Sequence, residues 1–187
     1  MSIVTTYKKS AVVTLFVMIL VIVIGSLYLF FRDQSEVQKR NNTPAATALL
    51  PEEGETSFTN LQGEVVTLAP HFGRVIVVTS WASWCPQCTT DLMRLGEVVQ
   101  AYKDQEVTVL AVNRAEDKYS AERFLQTITI PEGVQVVLDS EDFYFKNSAG
   151  YAMPETIVYG KDGAVVLQQR GELRLDELRQ SIDNALK

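Results

Sequence analysis

The order of apolar runs along these 187 residues points to an α/β domain in three layers around a mixed central sheet, with one transmembrane helix ahead of it. Short apolar runs of buried-strand type alternate with segments of helical period, and a four-residue glycine-containing turn joins the last two of these runs. An uncharged stretch of 21 residues stands near the amino terminus.

That stretch, residues 11–31, reads AVVTLFVMILVIVIGSLYLFF and is interrupted only by Thr14, Gly25 and Ser26. As a helix it would rise roughly 32 Å, enough to cross a hydrocarbon core of about 30 Å. It exceeds the roughly 7–15 apolar residues of a signal peptide. No small-residue cleavage site closes it, the nearest such pattern being Ala46-Thr47-Ala48, and no cysteine directly follows it to accept a lipid. The expectation is a retained single-pass anchor in a bacterial cell membrane, with residues 1–10 as a short leading segment. Lys8 and Lys9 flank one side and Arg32, Lys39 and Arg40 the other, so the positive-inside rule gives no orientation. Residues 32–57 are polar, lack periodicity and contain Pro44 and Pro51, the composition of a linker.

Residues 58–187 form the expected domain. Phe58–Leu61 and Val65–Leu68 pair around Gln62-Gly63-Glu64 as a hairpin. Val75–Ser80 is a continuous apolar run of buried-strand type. Leu92, Leu95, Val99 and Tyr102 then recur at helical spacing, and Val107–Val112 reads as a second buried strand. A helix over Glu116–Thr127 and a strand over Val134–Leu138 follow. Thr156–Tyr159 and Ala164–Gln168 flank the turn Gly160-Lys161-Asp162-Gly163. Asp176 is a plausible N-cap for a closing helix that places Leu178, Ile182, Ala185 and Leu186 on one face. Residues 1–43 carry a net charge of +3 and residues 44–187 a net charge of −9. An acidic domain argues against nucleic acid as a partner, because phosphate binding depends on clustered Lys and Arg.

The chain's two cysteines lie in 81-WASWCPQC-88, where a buried strand gives way to a helix. Cys85 at a helix N-terminus meets unpaired N–H groups and the positive end of the dipole, which stabilise a thiolate. This lowers the thiol pKa from about 8.5 toward roughly 7 or below. Pro86 suits the first helical position because it has no N–H to leave unpaired. Cys88 lies one turn on, on the same side, and deeper. Such a pair can close a disulfide and exchange it: the exposed thiolate attacks, the second thiol resolves.

Three other uses of the cysteines fit less well. A disulfide spanning two residues removes little entropy from the unfolded chain. A zinc or copper site needs three or four soft ligands, and beyond the cysteines there is only His71, which reads as a solvated loop residue. A thiol peroxidase would usually carry Thr or Ser three residues before its cysteine, where this sequence has Ala82.

W-A-S-W-C-P-Q-C after an apolar strand resembles the active site of thioredoxin-fold proteins, and the resemblance runs from about Phe58 to Leu186. It is closest to the TlpA/ResA-like branch of membrane-tethered bacterial thioredoxins. The opening hairpin with Gly63 and Leu68, Gly73-Arg74, the added helix and strand at about 114–138, and 150-GYAMPETIVYGKDGAVV-166 match that branch. The resemblance implies that Pro154 is the cis-proline beside the CxxC, with Met153 presenting its backbone to a substrate segment in strand-like pairing. The buried acid that cytosolic thioredoxins usually carry two residues before the first tryptophan of the motif is here Thr79. The Glu that often follows the second cysteine of the branch by three residues is here Asp91. Asp91 reads either as a proton partner for Cys88 or as a first-turn surface carboxylate favoured by the dipole.

The functional expectation is a thiol–disulfide oxidoreductase, membrane-anchored and extracytoplasmic. Cys85 is the nucleophile, Cys88 resolves and Asp91 manages a proton. Trp84, Pro86, Met153 and Pro154 bind substrate. No cofactor or metal is required. The implied partners are disulfide-containing client proteins, a membrane thiol–disulfide electron carrier and the lipid bilayer. By resemblance it acts as a reductant, apocytochrome c maturation being the best-known such task. A net oxidant and a tethered thiolate metal-binding module are the alternatives.

Overall fold

In the computed structural model, residues 18–26, 28 and 57–187 are described. The expected transmembrane helix over residues 11–31 is overturned, and with it the single-pass location in a bacterial cell membrane. Among the described residues no helix is long and apolar enough to cross a membrane. The helical run described there is residues 18–26. Its nine residues rise roughly 14 Å, half of a hydrocarbon core. Residues 11–17, 27 and 29–31 lie outside the described residues, as do residues 1–10 and most of the expected linker.

Residues 57–187 fold as a thioredoxin-like α/β unit. Its strands are β1 (Ser57–Asn60), β2 (Val65–Thr67), β3 (Val75–Trp81), β4 (Val107–Arg114), β5 (Val134–Asp139), β6 (Glu155–Tyr159) and β7 (Val165–Arg170). Its helices are α1 (Pro86–Tyr102), α2 (Lys118–Leu125), α3 (Phe143–Asn147) and α4 (Leu175–Leu186). The strands form one sheet in the order β2-β1-β5-β4-β3-β6-β7. β3, β4 and β5 run parallel, and the other pairs are antiparallel. β3 lies between β4 and β6 and is buried along its whole length. That position explains why its sequence is a continuous apolar run rather than an alternating one.

The period of two along β3 divides the core. Val75, Val77 and Trp81 face a cluster completed by Cys85, Cys88, Leu92 and Leu95 of the α1 region, Ala121 of α2, and Leu178 and Ile182 of α4. Ile76 and Val78 face the opposite layer, with Phe58, Leu110, Tyr144 and Tyr159. The helices therefore lie on both faces of the sheet, with α3 on the second.

Three local expectations shift. The closing helix begins at Leu175, with Arg174 at the N-cap, so Asp176 falls in its first turn. The Arg174 N–H donates to Gln169 Oε1 at 3.1 Å. β5 is followed by α3, which the sequence reading lacks; five residues are too few to show a helical period. It is held by Asp139, whose carboxylate accepts from the N–H groups of Phe143 and Tyr144, both at 2.9 Å. Asp142 precedes it in the left-handed region at φ 59° and is fixed by Arg114 through two bonds of 2.8 and 2.6 Å. Helix α2 starts at Lys118 rather than Glu116, because Asp117 caps it by accepting from the Ser120 N–H at 3.0 Å.

On the second face lies a buried acid. Glu155, 1% exposed, accepts through Oε1 from Arg170 Nε at 3.0 Å and from Gln168 Nε2 at 2.9 Å, while its Oε2 has no partner. Burial pushes its pKa up to about 7 against the opposing charge of Arg170.

Two predictions follow from this packing. Gly133 enters β5 at φ +89°, and a Cβ there would stand 2.5 Å from Val99 Cγ1 on α1. Gly133→Ala is expected to lower the unfolding free energy by about 1–3 kcal/mol through backbone strain and overpacking, read by urea denaturation. For Glu155, the unfolded chain releases its proton near about pH 4.3, whereas the folded chain holds it to higher pH. The folded state thus binds the extra proton, and stability is fully present below about pH 4 and falls as pH rises toward 7. Glu155→Gln should flatten that slope, on the order of 3 kcal/mol across the window, in denaturation curves taken from pH 4 to 8.

Candidate active site

The strand-to-helix junction of β3 and α1 carries the sulfur chemistry. β3 ends at Trp81, whose ring is fully buried and lies 5.3 Å from that of Phe124. The chain turns through Ala82–Trp84, and the Cys85 N–H closes the turn on Ala82 O at 3.1 Å. Cys85 is then the N-cap of α1, in extended conformation, and its Sγ accepts from the Cys88 N–H at 3.2 Å. Pro86 follows as the first helical residue, so no N–H is left unpaired at that position.

Cys85 and Cys88 are joined by a disulfide, S–S 2.04 Å, with their Cα atoms 5.4 Å apart. Cys88 is fully buried and Cys85 keeps 3% exposure. The expected exposed sulfur is therefore a narrow edge in this oxidised form. Trp84, one residue before it, is 61% exposed, and Pro86 and Gln87 are exposed on the other side.

The Met153–Pro154 peptide is cis. Pro154 leads directly into β6, whose first residue Glu155 is in register with Ser80 of β3, and Met153 packs on the cluster that contains both cysteines. The pairing of β6 with β3 thus brings the cis-proline segment to the same end of the sheet as the disulfide.

Asp91 lies three residues beyond Cys88 on α1 and is fully buried. The surface reading of this acid is overturned: the helix turns position 91 inward, among Cys88, Leu92 and Leu95. Its Oδ2 accepts from the Leu173 N–H at 3.1 Å, and its Oδ1 has no partner. Burial raises its pKa, with the Leu173 N–H, the Gln87 side chain and Arg94 pulling the other way. Thr79 is also buried, and its hydroxyl shares a 2.9 Å hydrogen bond with that of Thr156.

Sequence reasoning missed Glu116. Its carboxylate accepts from the Ser83 N–H at 2.7 Å, from Ser83 Oγ at 2.5 Å and from Asn113 Nδ2 at 2.7 Å. The helical reading of residues 116–127 concealed it; the capping pair Asp117 and Ser120 was the signal that would have left Glu116 in the preceding turn. The Leu173 N–H that meets Asp91 had no signal at all, since a backbone group 82 residues away carries none in the sequence. His71 does not join the site. It lines a cavity of about 440 Å³ with Val99 and Tyr102, near the other end of α1. Burial and the neighbouring Arg74 lower its pKa.

Comparison with known proteins agrees with this geometry. The model of the Redoxin family matches residues 38–186. The thiol-disulfide oxidoreductase ResA of Geobacillus kaustophilus is 26% identical over 129 residues, covering 68% of this chain and 72% of that protein. ResA of Bacillus anthracis is 24% identical over 149 residues, 80% of this chain and 79% of its own. Among solved structures, a Chlorobium tepidum protein described as the thiol:disulfide interchange protein DsbE superposes with a TM-score of 0.68 at 26% identity. It covers 78% of this chain and 100% of its own. A secreted Mycobacterium tuberculosis disulfide oxidoreductase shares the fold, with a TM-score of 0.59 at 20% identity over 70% of this chain and 96% of its own. The chain belongs to the Redoxin family, and its CxxC disulfide on a thioredoxin-like fold makes it a thiol–disulfide oxidoreductase.

Proposed function

We propose that this member of the Redoxin family reduces disulfides in client proteins, with Cys85 as nucleophile and Cys88 as resolving thiol. The observation that carries the reading is the place of Cys85 Sγ as the N-cap acceptor of α1, 3.2 Å from the Cys88 N–H. A sulfur held there is favoured as an anion by the helix end. In the reduced enzyme the Cys85 thiolate attacks one client sulfur. The client S–S bond breaks, a mixed disulfide forms, and the departing client thiolate takes up a proton. Cys88 then loses its proton and attacks Cys85 Sγ, which closes the Cys85–Cys88 bond and releases the second client thiolate. Two electrons leave the enzyme, and a dithiol donor must return them.

Asp91 is the group proposed to receive the Cys88 proton. It sits one helical turn from Cys88, with the Leu173 N–H on its Oδ2 and the Gln87 side chain beside it. Burial raises its pKa, which narrows the gap between a carboxyl and a thiol and eases transfer. Met153 offers its backbone to a client segment, Pro154 fixes that backbone beside the disulfide, and Trp84 and Pro86 flank the approach. The resemblance to the ResA-like branch extends the reading to apocytochrome c as a client.

Three outcomes test this reading. Cys88→Ser should accumulate mixed disulfides through Cys85, separable on non-reducing gels and identifiable by mass; no adducts would overturn the assignment of roles. The reduction potential should lie near thioredoxin's roughly −270 mV, and a value toward about −120 mV would make the enzyme an oxidant. For Asp91, an ionised carboxylate disfavours a thiolate beside it. Asp91→Asn should lower the apparent pKa of the second thiol and change the pH dependence of exchange, compared as whole titration curves because the pair titrates together. Unchanged curves from pH 5 to 10 would remove Asp91 from the mechanism.

A further inference from the structure

We infer that Glu116 is the positioning residue of the redox motif: its carboxylate clamps the turn that holds Cys85 at the end of α1. This rests on the reading of Cys85 as nucleophile. The turn from Ala82 to Trp84 belongs to neither β3 nor α1, so neither ladder fixes it. Its Ser83 N–H and Ser83 hydroxyl both donate to Glu116, at 2.7 and 2.5 Å, one to each carboxylate oxygen. The carboxylate is itself held from below by the Asn113 Nδ2 of β4, at 2.7 Å, and Asn113 is fully buried. Three donors therefore converge on one charged acceptor, and charge-assisted hydrogen bonds are the strong class.

The backbone around Glu116 is bent for this purpose. Ala115, between β4 and Glu116, lies in the left-handed region at φ 54°, a conformation that a residue with a Cβ avoids unless its surroundings impose it. Its N–H is tied to Asp139 O at 2.9 Å. The bend directs Glu116 back across the parallel β3–β4 pair, in which Trp81 and Asn113 stand in register. The clamp thus links the end of β4 to the residue two places before Cys85. The same turn is closed by the Cys85 N–H on Ala82 O, 3.1 Å. If it loosens, the Cys85 sulfur leaves the helix end that stabilises its thiolate.

This makes the sign of the effect decisive. Loss of position raises the Cys85 thiol pKa toward that of an ordinary thiol. Loss of a nearby negative charge would instead lower it. In the reduced full chain, Glu116→Ala should raise the pKa of the faster-reacting thiol, measured by the pH dependence of iodoacetamide alkylation. A rise of about one unit leaves roughly a tenth of the thiolate at pH 6, so the rate of reducing a small aromatic disulfide there should fall about tenfold. Glu116→Gln, which keeps an acceptor for the Ser83 N–H, should restore most of the rate. Ser83→Ala, which removes only the hydroxyl bond, should give a smaller rise and serves if Glu116→Ala does not fold. An unchanged thiol pKa in Ser83→Ala and in both Glu116 variants would overturn the clamp. A fall in pKa in both Glu116 variants would overturn it too, assigning Glu116 an electrostatic role. Wild-type protein that exchanges no disulfide would instead refute the functional reading beneath it.

Discussion

The end of β3 is where the demands of two hydrogen-bonding ladders meet, and the rest of the site depends on how that meeting is settled. A strand buried between two others has its backbone groups paired by its neighbours; a helix begins with N–H groups that nothing in the helix can pair. Between Trp81 and Pro86 the chain must pass from one regime to the other inside the protein. It does so with a proline that has no N–H, a cysteine sulfur that accepts the Cys88 N–H, and an external carboxylate that takes the Ser83 N–H. The helix end that needs an acceptor and the sulfur that needs to be an anion satisfy one another. The redox motif is in this sense also the cap of α1.

Two of the buried acids, Glu155 and Asp91, lie on opposite sides of the sheet, and they differ in how they are satisfied. Glu155 has the guanidinium of Arg170 and the amide of Gln168 on one oxygen. Asp91 has one backbone N–H, from Leu173. Each retains an oxygen without a partner, an arrangement that destabilises the ionised form and that a chain selected only for stability would replace. Glu155 adjoins the cis-proline and Asp91 lies one turn beyond Cys88. Both carboxylates stand next to the segments that carry the disulfide and the cis-proline.

Much of this was readable in the residues, and the reasons differ from element to element. β3 and β4 announced themselves because a central strand must be apolar on both faces, and α1 because one face of a long helix must be. Gly63 and the Gly160–Gly163 turn marked hairpins through conformations that few other residues adopt. The cysteines were legible because their spacing matches one turn of helix. What escaped was set by tertiary contact. α3 is too short for periodicity, and its start depends on an Arg114–Asp142 pair distant in sequence. Asp91 could not be told from a surface acid without knowing that Leu173 would close over it. The apolar character of residues 11–31 suggested a length of helix that the described residues do not provide.

The exchange of Thr79 for a buried acid on the strand changes how a proton partner could be held. An acid on β3 would reach the cysteines across the gap between sheet and helix, so its distance would depend on how α1 packs. Thr79 instead spends its hydroxyl on Thr156, within the sheet. Asp91 shares a helix with Cys88, and residues three apart on a helix are held about 5–6 Å apart at Cβ by the backbone itself. That separation survives small shifts of α1 against the sheet. The remaining freedom is rotation of the carboxylate, and the Leu173 N–H fixes one of its oxygens. The other oxygen has no such backbone donor. The pairing of this carboxylate is half complete, and it is held at a fixed offset from the buried sulfur.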